Sequence, residues 1–86
     1  MSSYVESLIG KEIQVITIEG RVFVGELVSF DQTMNTLMKN SIEKIYSQGS
    51  KNIKYEKMGL YLIRGDNIGI ISPIEDITEK ELIRGS

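Results

Sequence analysis

Residues 21–35 read RVFVGELVSFDQTMN, and the way this stretch divides decides the fold. Its first ten residues, Arg21 to Phe30, are rich in β-branched and aromatic side chains, the composition of a strand. Gly25 stands inside the run, where a missing side chain lets a strand bend sharply or approach another backbone. Val22, Phe23 and Val24 are apolar at successive positions, as in strands buried on both faces. The pattern then breaks. FDQTMN, residues 30–35, places a carboxylate, a hydroxyl and a carboxamide at alternate positions: Asp31, Thr33 and Asn35. Taken alone this is a turn, with Asp31 capping its own backbone and Phe30 and Met34 anchoring it in the core.

The reading extends in both directions. EIQVITI, residues 12–18, is a shorter β-rich run joined to the first through Glu19-Gly20, a hairpin turn. Downstream, runs over 34–46, 55–64 and 68–72 are separated by the polar loop 47–52 and the turn Gly65-Asp66-Asn67. In that turn glycine would supply a positive φ. Pro73 cannot donate to a ladder and should end the last strand. Upstream, Ser3 and Glu6 fit a capping box, while Val5, Leu8 and Ile9 share one helical face and Gly10 stands ready to stop the helix. The expectation is one mainly β domain over 1–74. It has an N-terminal α-helix over 3–9 followed by a five-stranded, strongly bent open β-barrel of the SH3-like kind. A charged tail over 75–86 follows, in which Thr78 and Glu81 would cap one helical turn. An open barrel leaves strand edges unpaired, and oligomerisation through those edges would satisfy them.

Composition narrows the function. The 86 residues include no cysteine and no histidine, which removes disulfides, thiolate zinc sites and the usual general base. No phosphate-cradling GxxxxGK loop is present. Asp31 and Asp66 could be imagined as an acid/base or metal pair, but the other parts of a catalytic site are missing. No enzyme, metal or cofactor is therefore expected. No apolar run is long enough for a membrane helix, and MSSYVESLIGKE lacks the basic start and apolar centre of a secretory signal; an intracellular chain is expected. Net charge is −2, without the basic stripe of a protein that clamps duplex phosphates. The densest basic stretch, Lys51, Lys54 and Lys57 with Glu56 among them, reads as a solvated loop face. Tyr4, Tyr46, Tyr55 and Tyr61 read as core or interface packing, and Met34, Met38 and Met58 as fillers.

A second stretch, IRGDN at 63–67, changes the weight of the first. A mid-strand glycine, FDQTMN, a polar loop, then IRGDN before an apolar strand resembles the bipartite motif of the Sm and Sm-like (LSm) family. The resemblance runs from the N-terminal helix to Ser72. Within the family, FDQTMN with GLYLIRGDN at 59–67 most resembles the eighth paralogue group, the branch associated with U6 small nuclear RNA. The resemblance implies the Sm fold and a six- or seven-membered ring of LSm subunits joined through edge strands 55–64 and 68–72. It implies a central pore holding uridine-rich single-stranded RNA, here the 3′ end of U6, in support of pre-mRNA splicing in the nucleus. A cytoplasmic mRNA-decay ring, or a scaffold contributing little beyond its protein edges, are the neighbouring alternatives.

Residue by residue, the resemblance places Asn35 at the uracil edge, Asp31 as the carboxylate orienting that amide, and Arg64 against the base, with Gly65 and Asp66 completing the second loop. The chemistry agrees: a carboxamide carries a donor beside an acceptor, matching the N3–H and carbonyl of uracil, and an arginine plane stacks on a base. Thr33 departs from the family, where many members carry a histidine or aromatic residue. It brings a methyl and a hydroxyl to the pocket in place of a π-face.

Overall fold

A computed structural model describes residues 2–47, 49 and 52–74, with side chains from Tyr4 onward. The capping-box side chain of Ser3, Lys51, and the tail over 75–86 lie outside the described residues. Five antiparallel strands, β1 (Glu12–Thr17), β2 (Val22–Phe30), β3 (Thr36–Tyr46), β4 (Ile53–Ile63) and β5 (Ile68–Pro73), form one sheet in the order β4-β3-β2-β1-β5. The bend is built around Gly25. There β2 loses register with β3 between Val24 and Glu26, and a Cβ on Gly25 would stand 2.8 Å from Ser41 Cα and 3.1 Å from the Lys39 carbonyl. Across the bulge Asn40 adopts φ 52°. Only a residue without a side chain lets the two backbones meet while the sheet folds over itself.

The bent sheet wraps a core of Ile13, Val15, Phe23, Leu27, Met38 and Ile63, closed at one end by Leu8. Phe23 is buried and stacks on Tyr61 with ring centroids 4.9 Å apart; full burial of such a side chain is worth about 1.5–3 kcal/mol. Glu43 is also buried, and Arg21 donates to both its oxygens at 2.9 Å through Nε and Nη2. The Arg21 guanidinium carbon lies 5.0 Å from the Phe23 ring centre. A bidentate partner over an aromatic face makes a carboxylate tolerable at this depth; the pairing holds Glu43 below its ordinary pKa and Arg21 above its own.

Several details differ from the sequence expectation, each for a local reason. The helix α1 spans Ser2–Glu6, and the chain continues in tight turns in which Ser7, Leu8 and Ile9 N–H donate three residues back. That tighter winding buries Leu8 and turns Ile9 outward, 46% exposed. Strand β3 starts at Thr36, because Met34 adopts φ 65° and breaks the extended backbone. Strand β4 starts at Ile53, paired with Tyr46, and stops before Arg64. Pro73 pairs with Ile13 as the last residue of an edge strand, where its missing N–H costs nothing. Of the tyrosines only Tyr61 joins the core; Tyr4, Tyr46 and Tyr55 are 56%, 57% and 63% exposed. Phe30 and Met34 are half-buried and stand outside the core cluster, so the turn between them is held by other means.

Strands β4 and β5 are the two ends of the sheet, and among the described residues no strand covers their outer edges. Leu60 and Leu62 on β4 and Ile70 on β5 are large, apolar and more than half exposed.

Candidate functional site

The stretch 30–35 links β2 to β3, and 64–67 links β4 to β5; sheet curvature brings the two links together. Asp31 organises the first. Its Oδ1 accepts from Thr33 N (3.0 Å), Thr33 Oγ1 (3.0 Å) and Asn35 N (2.9 Å), and its Oδ2 accepts from Asn35 Nδ2 (2.9 Å). The main chain closes the same turn, Met34 N donating to Asp31 O and Asp31 N to Asn35 O. A carboxylate that accepts this many hydrogen bonds favours its charged form. The Asn35 contacts foremost, then those of Thr33, hold Asp31 below its ordinary value of 3.8.

The second link meets the first through Gly65, whose N–H donates to Asn35 Oδ1 at 2.8 Å. This contact and the Asp31–Asn35 bond together fix the amide: flipping it would turn Nδ2 toward a donor and Oδ1 toward a carboxylate. Each amide atom keeps one unused site, the second hydrogen of Nδ2 and the second lone pair of Oδ1. The approach is close. A Cβ at position 65 would lie 1.7 Å from the Thr33 carbonyl oxygen. Among the described residues the positive-φ glycines are Gly10, Gly20, Gly49 and Gly59, without Gly65, which opens a single 3-10 turn over Gly65–Asn67. Backbone contact, not a positive φ, therefore requires glycine here.

A cleft lined by Thr33, Asn35, Leu62, Arg64, Gly65 and Asp66 opens between the links. The six sequence candidates are thus gathered at one place, with Asp31 standing behind the cleft as its organiser. The Thr33 hydroxyl proton is engaged by Asp31, which leaves the methyl and the hydroxyl lone pairs for a ligand. Arg64 reaches Asp66 at 3.5 Å with both side chains more than 70% exposed; such a surface pair contributes little, and the guanidinium is free to turn toward a planar ligand. Leu62 was not anticipated in this role. Its signal was present, since it is an apolar residue two positions before Arg64 on a strand whose side chains alternate. Among the described residues no group of His, Cys, Asp or Glu side chains is arranged to hold a metal ion, and no helix is long and apolar enough to cross a membrane.

A family model described as the LSM domain matches residues 3–73. The human U6 snRNA-associated Sm-like protein LSm8 is 38% identical over 86 residues, all of this chain and 88% of the human one. The lsm8 subunit of the LSM2-LSM8 complex of Schizosaccharomyces pombe is 33% identical over 72 residues, 84% of this chain and 76% of that one. Among solved structures, the P. aerophilum SmAP1 heptamer superposes with a TM-score of 0.72 at 32% identity, over 85% of this chain and 90% of that chain. The Pyrococcus abyssii Sm protein in complex with a uridine heptamer gives a TM-score of 0.68 at 27% identity, over 83% and 93%. Since the match takes in all five strands and both links of the cleft, the chain belongs to the LSM domain family and is similar within it to the LSm8 proteins.

Proposed function

We propose that this chain is an RNA-binding subunit of a heteromeric LSm ring, in which its cleft takes one uracil from the uridine-rich 3′ end of U6 small nuclear RNA. The observation that carries the reading is the doubly anchored Asn35 amide. Asp31 and Gly65 use one hydrogen and one lone pair; the remaining donor and acceptor match the carbonyl and N3–H of uracil. Arg64 covers one face of the base and the methyl of Thr33 with Leu62 supplies an apolar contact on the other side. Stacking on side chains is worth roughly 1–3 kcal/mol per base, so one cleft binds weakly. Repetition around a ring raises affinity through effective concentration, which explains how a chain of net charge −2 holds RNA. The uridine heptamer in the Pyrococcus abyssii complex supports the ligand class, and the LSm8 relatives named for U6 and for the LSM2-LSM8 complex support the RNA and the partners. The reading places the protein in the nucleus, in pre-mRNA splicing, with no catalysis of its own.

The unpaired edges β4 and β5, with exposed Leu60, Leu62 and Ile70, supply the surface through which neighbours would join the ring. They also favour a second reading, a scaffold whose cleft is idle. Asn35→Ala separates the two. An RNA-binding subunit keeps its assembly by native mass and loses tenfold or more in oligo-uridine affinity, since one bidentate polar pair is worth roughly 1–3 kcal/mol. A scaffold keeps both.

A further inference from the structure

The outer half of the β3–β4 hairpin lies away from the cleft, and its two faces differ in kind. Residues directly opposite on paired strands share a face. The pairs Ile42↔Lys57, Lys44↔Tyr55 and Tyr46↔Ile53 therefore lie on one face, and Glu43↔Glu56 with Ile45↔Lys54 on the other. Every acid of this half-hairpin falls on the second face, where Glu43 is buried against Arg21. The first face carries Lys44 and Lys57 with no carboxylate between them. Lys44 meets a neutral partner, Gln14 Oε1 at 3.5 Å, and neither lysine forms an ion pair among the described residues.

The tyrosines of that face are open. Tyr46 and Tyr55 are 57% and 63% exposed, and they are diagonal neighbours across the ladder, about 7–8 Å apart, a separation that consecutive bases of an extended strand can match. Pairing of β4 with a neighbour's β5 would leave them open too. Strand β4 has eleven residues and β5 only six, so a neighbour's β5 leaves five residues of β4 unpaired. The exposed apolar residues Leu60 and Leu62 mark the paired half as the one next to the cleft.

We propose that this face is a second contact for single-stranded RNA, with Tyr46 and Tyr55 stacking on bases and Lys44 and Lys57 meeting phosphates, and that it takes nucleotides flanking the tract held at Asn35. Aromatic rings beside cations on an acid-free sheet face suit a single strand; an acidic peptide would use the lysines and leave the rings without function. Tyr55 and Arg64 are nine positions apart, at most about 30 Å along an extended chain, within reach of a few nucleotides. The proposal rests on the RNA-binding reading only for the register of the RNA, and it is tested apart from it.

The test uses the full chain in its assembled form and fluorescence anisotropy with a six-uridine probe and with the same tract extended by eight unstructured nucleotides at either end. Tyr46→Thr with Tyr55→Thr keeps good strand formers at exposed sites. The expected result is a tenfold or greater loss on an extended probe and a change within twofold on six uridines, which also reports an intact fold. Lys44→Gln with Lys57→Gln is expected to lower the slope of log affinity against log salt by about 1.4 on the extended probe, some 0.7 per phosphate contact of a single strand. An extended probe bound by the tyrosine variant as tightly as by the parent overturns the proposal, and so does a loss of assembled mass with RNA affinity unchanged, which would make the face a contact between subunits. Asn35→Ala without effect on six uridines would remove the cleft reading and leave this face to be judged on the tyrosine result alone.

Discussion

Gly65→Ala adds one carbon where the two links of the cleft touch, and its effect can be worked from the structure. The new Cβ would lie 1.7 Å from the Thr33 carbonyl oxygen, whereas real Cβ atoms essentially never come within 3.0 Å of another heavy atom. The links must separate by at least 1.3 Å, the difference between those distances. The obstacle is backbone on both sides, so no side chain can swing away to relieve it. Taken along the Gly65 N to Asn35 Oδ1 bond, now 2.8 Å, a shift of that size ends the hydrogen bond. The lost bond costs about 0.5–1.5 kcal/mol, and forcing volume into a packed site typically costs about 1–3 kcal/mol, so a destabilisation of about 2 kcal/mol is expected. More telling is the amide. Without Gly65, Asn35 keeps only Asp31, and its acceptor is no longer held toward a ligand; oligo-uridine affinity should fall tenfold or more. Urea denaturation and fluorescence anisotropy measure the two effects. Gly20→Ala is the control. Gly20 sits at φ 94° with nothing within 4 Å of a Cβ, so alanine there should cost about 1–2 kcal/mol of backbone strain and leave uridine binding alone. A Gly65→Ala protein that binds oligo-uridine within twofold of the parent would refute the argument that this backbone approach sets Asn35.

If the cleft holds uracil as proposed, uridine binding should be insensitive to mild acid, because Asp31 stays ionised. Its folded pKa lies below the ordinary 3.8, so its contribution is complete above that value and is lost as pH falls through the lower, folded value. Amide NMR shifts of Thr33 and Asn35 across pH 2–7 should move together with a midpoint below 3.8, and a midpoint above it would contradict the hydrogen bonds assigned to Asp31. Glu43→Gln removes half of a bidentate pair whose acid is buried while 42% of the Arg21 side chain is exposed. Allowing for screening on the arginine side, a loss of about 1–2 kcal/mol in denaturant unfolding is expected, with six-uridine binding unchanged because none of the pair's hydrogen bonds or ion pairs reaches a cleft residue; equal stability of the two proteins would show the pair to be idle.

Much of this was legible before any coordinates. The strand runs, the Glu19-Gly20 hairpin and the bend at Gly25 could be named from residue type and order, because each reflects chemistry within a few residues of itself; the six site candidates came from the resemblance of two separated stretches to the bipartite Sm motif. The misreadings share a cause. Ile9 was placed inside on a 3.6-residue period, but the chain winds more tightly after Glu6 and the period no longer holds. A positive φ is the commonest local reason for a turn glycine, yet the φ of Gly65 is not positive and the obstacle is a carbonyl thirty-two positions earlier. Phe30 and Met34, being apolar, read as the anchors of the turn, but the carboxylate between them holds it.

By itself, the sequence determined that this chain forms a bent five-stranded sheet and that Asp31 folds the turn after β2 onto its own amides, since strand propensity, turn chemistry and an Asx cap are settled between near neighbours in the chain. Tertiary structure alone decided what Asn35 can offer a ligand and which side of the β3–β4 hairpin is free of acid. The first depends on Gly65 arriving from thirty positions away once Gly25 has allowed the sheet to curve. The second depends on a ladder register whose bulges around Ser41 decide which face every later residue takes.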